Sequence, residues 1–386
     1  MKKRKICVVI TARASYSRIK TVLEAINKHS ELKLQLVVAA SALLDRYGTA
    51  ANYIENEGFH ITARVFNVLE GENLTSAAKT TGIGILELST IFDNIKPDIV
   101  VTVADRFETM ATAVCAAYMN IPLAHVQGGE VTGNIDEKVR HAITKLADYH
   151  FVASKDAYER VIKLGEDPAF VYNTGCPSID LAERVCSNSG LDFDPFERYK
   201  GVGISWNVFT EKYLVVMQHP VTTEYNEARK NIEETLKAIK AINIPVFWFW
   251  PNMDAGSDGT SRGIRSFREN NQDLSVHFFK NMDPIDFLKL LKNSICLIGN
   301  SSAGIRECAW LGVPVVNIGT RQQGRQRGKN VIDVGYKKEE IIAAVKRKIK
   351  HGPYRKEEIY GGGKAGEKIA DLLAKVELRF DKKISY

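Results

Sequence analysis

GNSSAGIRECAWLGVPVVNIGTRQQGRQRG, residues 299–328, decides how this chain is read. The apolar run Ser294–Ile298 just ahead of it reads as a buried strand. A Gly-Asn-Ser-Ser turn follows, then a helix from about Gly304, a second strand at Pro314–Ile318 and a basic loop. Strand, turn, helix and strand in that order make one βαβ unit of a parallel sheet. Ser301, Ser302 and the first helical amides then sit at a strand's carboxyl end, where ligands of such sheets bind. Free N–H groups, hydroxyls and a helix dipole at that place favour a phosphate. Arg321, Arg325 and Arg327 arrive from the next strand's carboxyl end, where guanidinium forks would neutralise a diphosphate. Helix capping accounts for the serines equally well, but not for three arginines.

The same alternation extends outward in both directions. Short β-branched runs at Ile6–Thr11, Leu34–Ala39, Ile61–Phe66, Asp98–Val103, Leu123–Val126, His150–Ala153 and Phe170–Asn173 read as strands. Amphipathic stretches at Arg18–Lys28, Leu74–Ile95, Phe107–Met119, Asp136–Ala147 and Asp156–Leu164 read as the helices between them. Residues 186–211 carry little periodicity and many turn formers, so the interdomain connection is expected there or just before. Strands at Tyr213–Met217 and Pro245–Trp250 then alternate with helices at Glu224–Ile242 and Pro284–Leu291. The expected fold is α/β: two Rossmann-like, doubly wound parallel-sheet domains of the GT-B kind, with an active-site cleft between them. Residues 1–180 would form the first domain and 181–363 the second, which carries the phosphate-binding turn. The amphipathic segment within 364–386 is expected to return to the first domain.

Composition limits the functional classes. The chain has 386 residues, 45% apolar and 26% charged, which suits two globular domains of ordinary size. Its net charge of +7 is spread along the chain, with no basic tail or aromatic-interleaved basic stretch. Small anionic molecules are therefore expected as ligands and nucleic acid is not. The six cysteines show no Cys-x-x-Cys pairing and mostly lie in apolar runs, as reduced core thiols do. No run approaches the roughly 20 apolar residues of a membrane span, and the apolar part of the N-terminus is too short for a secretory segment. A cytoplasmic protein is expected.

Four further strand ends carry polar groups. TARASYSR (11–18) lacks the Gly-x-Gly-x-x-Gly of dinucleotide binders, so no nicotinamide or flavin cofactor is expected. Arg13 and Ser15 there suggest contact with an anion, although Ser15 or Ser17 would also serve as a plain cap. In VTVADRFE (101–108), Asp105 and Arg106 follow a buried strand, and Asp105 could cap a helix beginning at Phe107. In AHVQGGEVTGNIDEKVRHA (124–142), Gly128 and Gly129 let backbone approach a ligand closely. Glu130, Asp136, Glu137, Arg140 and His141 crowd the same loop, with Asp136 another possible cap. In MQHPVTTE (217–224), His219 ends a strand. Several carboxylates and a histidine opposite a phosphate-binding helix could act as acid and base on a sugar held by its diphosphate. No cluster has metal-ligand spacing, so no metal is expected.

Taken in order, TARASYSRIK, ADRFE, GGEVTGNIDEKVRHAITKLA, HPVTTE, PNMDAG, GNSSAGIRE and GTRQQGR resemble the UDP-N-acetylglucosamine 2-epimerases. The likeness is to the hydrolysing branch that serves sialic acid and related nonulosonate synthesis. It covers nearly the whole chain. The resemblance implies that Arg13, Ser15, Arg106, His219, Asn252, Ser301, Ser302, Glu307 and Arg321 hold the nucleotide diphosphate, with Glu307 accepting ribose hydroxyls. It further implies that Asp105 and Asp136 are acid/base residues at the sugar, with Glu130 and His219 in the catalytic set. The chain departs from the family at one place. Where the family usually has His-x-Glu-Gly-Gly-Glu, this chain has His125-Val126-Gln127-Gly128-Gly129-Glu130. An amide is no general base, although it orients water or binds an acetamido group. Either Asp105, Asp136 and Glu130 divide the proton transfers, or Gln127 marks a different sugar.

The implied reaction removes the proton at C2 of an N-acetylhexosamine as UDP leaves C1, then rehydrates the resulting glucal. UDP-N-acetylglucosamine would give N-acetylmannosamine and UDP, without a cofactor, in a homodimer or homotetramer. The alternatives are the same reaction on a UDP- or GDP-activated 2,4-diacetamido-2,4,6-trideoxy sugar, a two-domain glycosyltransferase, and a catalytically silent nucleotide-sugar sensor. Arg262 and Arg265, at i, i+3 spacing, form a candidate regulatory anion site set against a solvated basic face.

Overall fold

The computed structural model describes residues 3–44, 50–69, 73–132, 136–186, 190–251 and 256–385. The chain divides into two units. Unit 1 comprises Met1–Glu130, Ile135–Leu181 and Tyr360–Tyr386; unit 2 comprises Val131–Asn134 and Ala182–Ile359.

Unit 1 is built on strands β1 (Arg4–Ile10), β2 (Leu32–Ala39), β3 (Ile61–Val65), β4 (Ile99–Val103), β5 (Leu123–Val126), β6 (Tyr149–Val152) and β7 (Val171–Asn173). They pair in the order β3-β2-β1-β4-β5-β6-β7, all parallel. Central strands such as IVVTV and LAHV are buried along their whole length, as parallel strands covered on both faces must be. The coverings are α1 (Arg13–Lys28), α2 (Ala50–Asn56), α3 (Leu74–Ile95), α4 (Thr109–Tyr118), α5 (Asp136–Leu146), α6 (Lys155–Lys163) and α7 (Pro177–Cys186). Asn73 and Ser154 cap α3 and α6, accepting from Ser76 N and Ala157 N. The strand order reverses between β1 and β4, so the carboxyl ends of those two strands flank the sheet's switch point.

Unit 2 opens with α8 (Pro195–Tyr199) and β8 (Val202–Gly203), both inside the stretch expected to be irregular. Its remaining strands are β9 (Leu214–Met217), β10 (Val246–Phe249), β11 (Val276–Phe279), β12 (Cys296–Gly299), β13 (Val315–Ile318) and β14 (Val331–Val334). The order is β14-β13-β12-β9-β10-β11-β8, parallel except for the edge strand β8. The helices are α9 (Ala228–Ile242), α10 (Ser257–Asn270), α11 (Pro284–Lys292), α12 (Ser302–Ile305), α13 (Glu307–Leu311) and α14 (Lys338–His351). Here the order reverses between β9 and β12.

The helix expected from Gly304 is in fact two short ones. It starts at Ser302 and breaks at Arg306 (φ −97°, ψ −69°). Gly304 lies flush on the sheet, where a Cβ would come within 2.9 Å of Val315 Cγ1. The break accompanies burial of the Arg306 side chain beneath the turn.

The chain then returns to unit 1 as α15 (Ala365–Lys375), which packs on α1. Ile369, Leu373 and Val376 share one core with Ile19, Val22 and Leu23. The Asp180 carboxylate accepts from Ala365 N (2.9 Å), Gly366 N (2.7 Å) and the Thr21 hydroxyl (2.9 Å), tying both ends of this packing together.

Candidate active site

Each unit places polar residues at its own switch point. In unit 1, α1 begins at Arg13 directly after β1, and its N-cap, Ala12, supplies no side-chain cap. Neither Ser15 nor Ser17 caps it. Ser15 is instead buried in the first turn, its own amide donating to the Ala12 carbonyl oxygen at 3.0 Å. Burial pushes the Arg13 guanidinium down to about 10, so it stays charged at neutral pH while partly stripped of water.

Asp105 follows β4 and does not cap a helix, because α4 begins only at Thr109. Its Oδ2 pairs with Arg140 Nη2, and its Oδ1 lies 3.6 Å from Arg18 Nη1. Both Asp105 and Arg140 are buried. Arg140 Nη1 also donates to the Glu130 carbonyl oxygen at 2.8 Å, which binds the glycine loop to the same arginine. Arg106 is buried and its guanidinium is paired with Glu108, at 3.2 Å from Nε and 3.1 Å from Nη2. It therefore comes to any anion with a carboxylate already beside it.

Gln127 ends β5 at φ +66°, a left-handed backbone seldom taken by a residue with a side chain. It is buried, and its Nε2 donates to Cys176 Sγ at 2.9 Å, which in turn lies 3.0 Å from Ser178 Oγ. Glu130 is buried close by in sequence. The Asp136 side chain lies outside the described residues, although its position opens α5.

In unit 2, Gly299 ends β12 at φ +130°, and a Cβ there would strike the Met217 carbonyl oxygen. Only glycine permits the close turn that brings Asn300 beside β9. The two strand ends are then locked by a reciprocal pair: His219 N donates to Asn300 Oδ1 (2.7 Å) and Asn300 Nδ2 donates to His219 O (2.8 Å). Ser301 caps α12, accepting from Ala303 N at 3.3 Å. Ser302 Oγ accepts from Arg306 Nη2 at 2.8 Å, which ties the hydroxyl at the head of the turn to the buried arginine beneath it. Glu307 is buried, and its Oε2 has no hydrogen-bond partner among the described residues, as suits an acceptor for a ligand's hydroxyl.

The basic loop after β13 divides its labour differently from the expectation. Arg321 Nη1 reaches the Asn300 carbonyl oxygen at 3.4 Å and stays beside the serine turn. Arg325 donates to Gln322 Oε1 (2.8 Å) and to Val131 O (3.3 Å), while Arg327 pairs with Asp333 on β14. Those two arginines brace the loop. The dipole expectation also changes, since α12 is a single turn; what it offers an anion is amides and hydroxyls.

Several participants escaped the sequence reading. Cys176, Asn300, Arg306 and Gln322 act through other residues, as does Arg140, which the sequence placed in the glycine loop without assigning it a role; all but Cys176 lie inside the motifs quoted above. Asn252 lies outside the described residues. Arg262 is exposed and paired with Asp258 at 3.1 Å, and Arg265 sits 6.0 Å from the Trp250 ring centroid. Among the described residues no group of histidines, cysteines and carboxylates could hold a metal ion, and no helix is long and apolar enough to cross a membrane.

Comparison with known proteins adds to this geometry. A family model described as UDP-N-acetylglucosamine 2-epimerase matches residues 24–374. The chain is 31% identical over 381 residues to a Legionella pneumophila protein named UDP-N,N'-diacetylbacillosamine 2-epimerase (hydrolyzing), covering 97% of each. It is 29% identical over 361 residues to a UDP-N-acetylglucosamine 2-epimerase of Neisseria meningitidis serogroup B, covering 94% of this chain and 91% of that one. In fold it is similar to the crystal structure of UDP-GlcNAc 2-epimerase from Neisseria meningitidis bound to UDP-GlcNAc. That match has a TM-score of 0.76 at 18% identity, over 96% of this chain and all of the other.

Proposed function

Because the chain belongs to the UDP-N-acetylglucosamine 2-epimerase family, we propose that it is a hydrolysing 2-epimerase converting UDP-N-acetylglucosamine to N-acetylmannosamine and UDP. One observation carries the reading. A buried carboxylate, Asp105, stands at the switch point of unit 1, and a serine turn with Arg321 stands at that of unit 2. Ser301, Ser302 and Arg321 take the diphosphate, Glu307 the ribose hydroxyls, and Arg13 a further anionic oxygen. A base takes the C2 proton as the C1–O bond to UDP breaks, giving 2-acetamidoglucal. Water then adds at C1 and a proton returns to C2 from the opposite face. The two faces of C2 need acid/base groups on both sides, and Asp105, Asp136 and Glu130 divide those proton transfers. Gln127 orients water or the acetamido group.

A second reading is the same reaction on a 2,4-diacetamido sugar nucleotide. It is favoured by the Gln127 amide, anchored on Cys176 where the family usually has a carboxylate, and by the name of the Legionella relative.

Both donors supplied in parallel in D2O test the two readings. UDP release with one deuterium at C2 of the free sugar is expected from the true substrate. Release without C2 deuterium would remove the elimination mechanism, and no release from either donor would leave a nucleotide-sugar binder.

A further inference from the structure

Behind Asp105 lies a group that the reaction does not touch. Ala104, the residue before it, is held at φ +63°, which for alanine is a strained turn. Its carbonyl oxygen lies 2.9 Å from His125 Nε2, and His125 Nδ1 lies 3.2 Å from Thr144 Oγ1. A carbonyl only accepts, so Nε2 carries the proton and Nδ1 accepts from the Thr144 hydroxyl. Thr144 stands one turn beyond Arg140 on α5, on the same helix face. Arg140 returns to Asp105, closing a ring that runs Asp105, Ala104, His125, Thr144, Arg140.

We propose that His125 is a positioning residue: a neutral brace of one tautomer that fixes the strained turn aiming Asp105 and seats α5, with Arg140, against it. This rests on the reading of Asp105 as an acid/base group. The packing leaves no other role for the ring. His125 is fully buried and both its nitrogens are on protein partners. Burial pushes its pKa down to about 3, against the lift from the Ala104 hydrogen bond, and nearby His150, His141 and Lys382 push it the same way. Gly128 belongs to the brace as well: a Cβ there would come within 2.9 Å of His125 Nδ1 and 3.0 Å of Thr144 Oγ1, wedging the pair apart.

Nitrogen NMR of the 15N-histidine-labelled wild-type chain tests the tautomer without any substitution. His125 should remain neutral and Nε2-protonated between about pH 5 and 8, where an ordinary histidine titrates. An Nδ1-protonated ring, or titration in that range, overturns the proposal. Function is read with two variants that each keep half of the brace. His125→Gln retains a donor near Nε2, and His125→Asn retains an acceptor near Nδ1. His125→Asn should lower kcat by about 100-fold, the scale of a misplaced reacting group, with KM and UDP affinity nearly unchanged. His125→Gln should retain more of the rate, and Thr144→Ser more than Thr144→Val. Equal kcat in His125→Asn and wild type, or a loss shared by KM and UDP affinity, overturns it. Arg140 guanidinium N–H exchange, slow in wild type and fast in His125→Asn, reports the brace independently of turnover; unchanged exchange overturns it. Full activity in Asp105→Asn would instead remove the acid/base reading, whatever the exchange shows.

Discussion

Asp105 stands between two arginines, and this changes what its replacement will do. An acid/base residue exposed in an open pocket could be neutralised with little effect on folding. Asp105 is buried against Arg140, so Asp105→Asn removes the carboxylate charge paired with a buried guanidinium. Stability should fall by about 3 kcal/mol or more, the cost of breaking a buried pair, alongside the loss of turnover. Urea unfolding measures the first and UDP release the second; unchanged stability would mean that the pair is not formed. Ser302 and Arg321 sit at the other switch point, where Ser302→Ala or Arg321→Ala should weaken UDP binding by about 1.5–3 kcal/mol in calorimetry, as loss of a charge-assisted bond does. The positions of these residues were legible because strand ends and turn glycines are local signals. Their partners were not. Arg140 meets Asp105, and Cys176 meets Gln127, only through the order of strands in the sheet, which no local pattern encodes.

Most long elements were legible and most short ones were not, although the 14 residues of α14 were passed over despite their length. The 22 residues of α3 and the apolar runs of β4 and β5 announce themselves. The seven residues of α2, the half-exposed edge strand β14 and the two-residue β8 do not. The α12–α13 break was hidden for another reason, since it depends on how closely Gly304 seats on Val315. One junction of elements makes a pH prediction. Glu166, after α6, is bonded by His150 on β6, by Lys145 on α5 and by Lys382 in the segment after α15. Burial raises its pKa, but those three hydrogen bonds more than reverse this and bring it down to about 2. A carboxylate depressed in the folded state adds stability above its unfolded pKa and loses it as pH falls through the folded value. Glu166 should therefore stabilise the fold near neutrality, a contribution lost as pH falls from about 4.5 toward 2. Comparing the wild type with Glu166→Gln by denaturant unfolding across that range checks it: the difference should shrink as pH falls.

At the scale of the whole molecule, the alternation of strand and helix predicted two doubly wound parallel sheets, and two are found. The strand orders themselves were beyond the sequence, because crossover connections of similar length serve several orders equally well. Leu373 of α15 is fully buried in the core beneath α1. Leu373→Ala should cost unit 1 about 2–5 kcal/mol, the range for a buried leucine cavity, and leave the unfolding of unit 2 unchanged. Hydrogen exchange resolved by peptide would show whether protection is lost in unit 1 alone.

That return of the chain sets a timetable for synthesis. Domains are made from the N-terminus and ordinarily fold in that order as they leave the ribosome, at about 5–20 residues per second. Unit 1 cannot follow the rule. Its sheet emerges first, yet the face of α1 that receives Ile369 and Leu373 stays uncovered while the whole of Ala182–Ile359 is translated. Unit 2 is thus the first to be complete, and unit 1 waits with an open apolar surface for a helix made near the end. For that interval of roughly ten seconds or more, at those rates, the nascent chain is a natural client for a chaperone that holds exposed apolar surface.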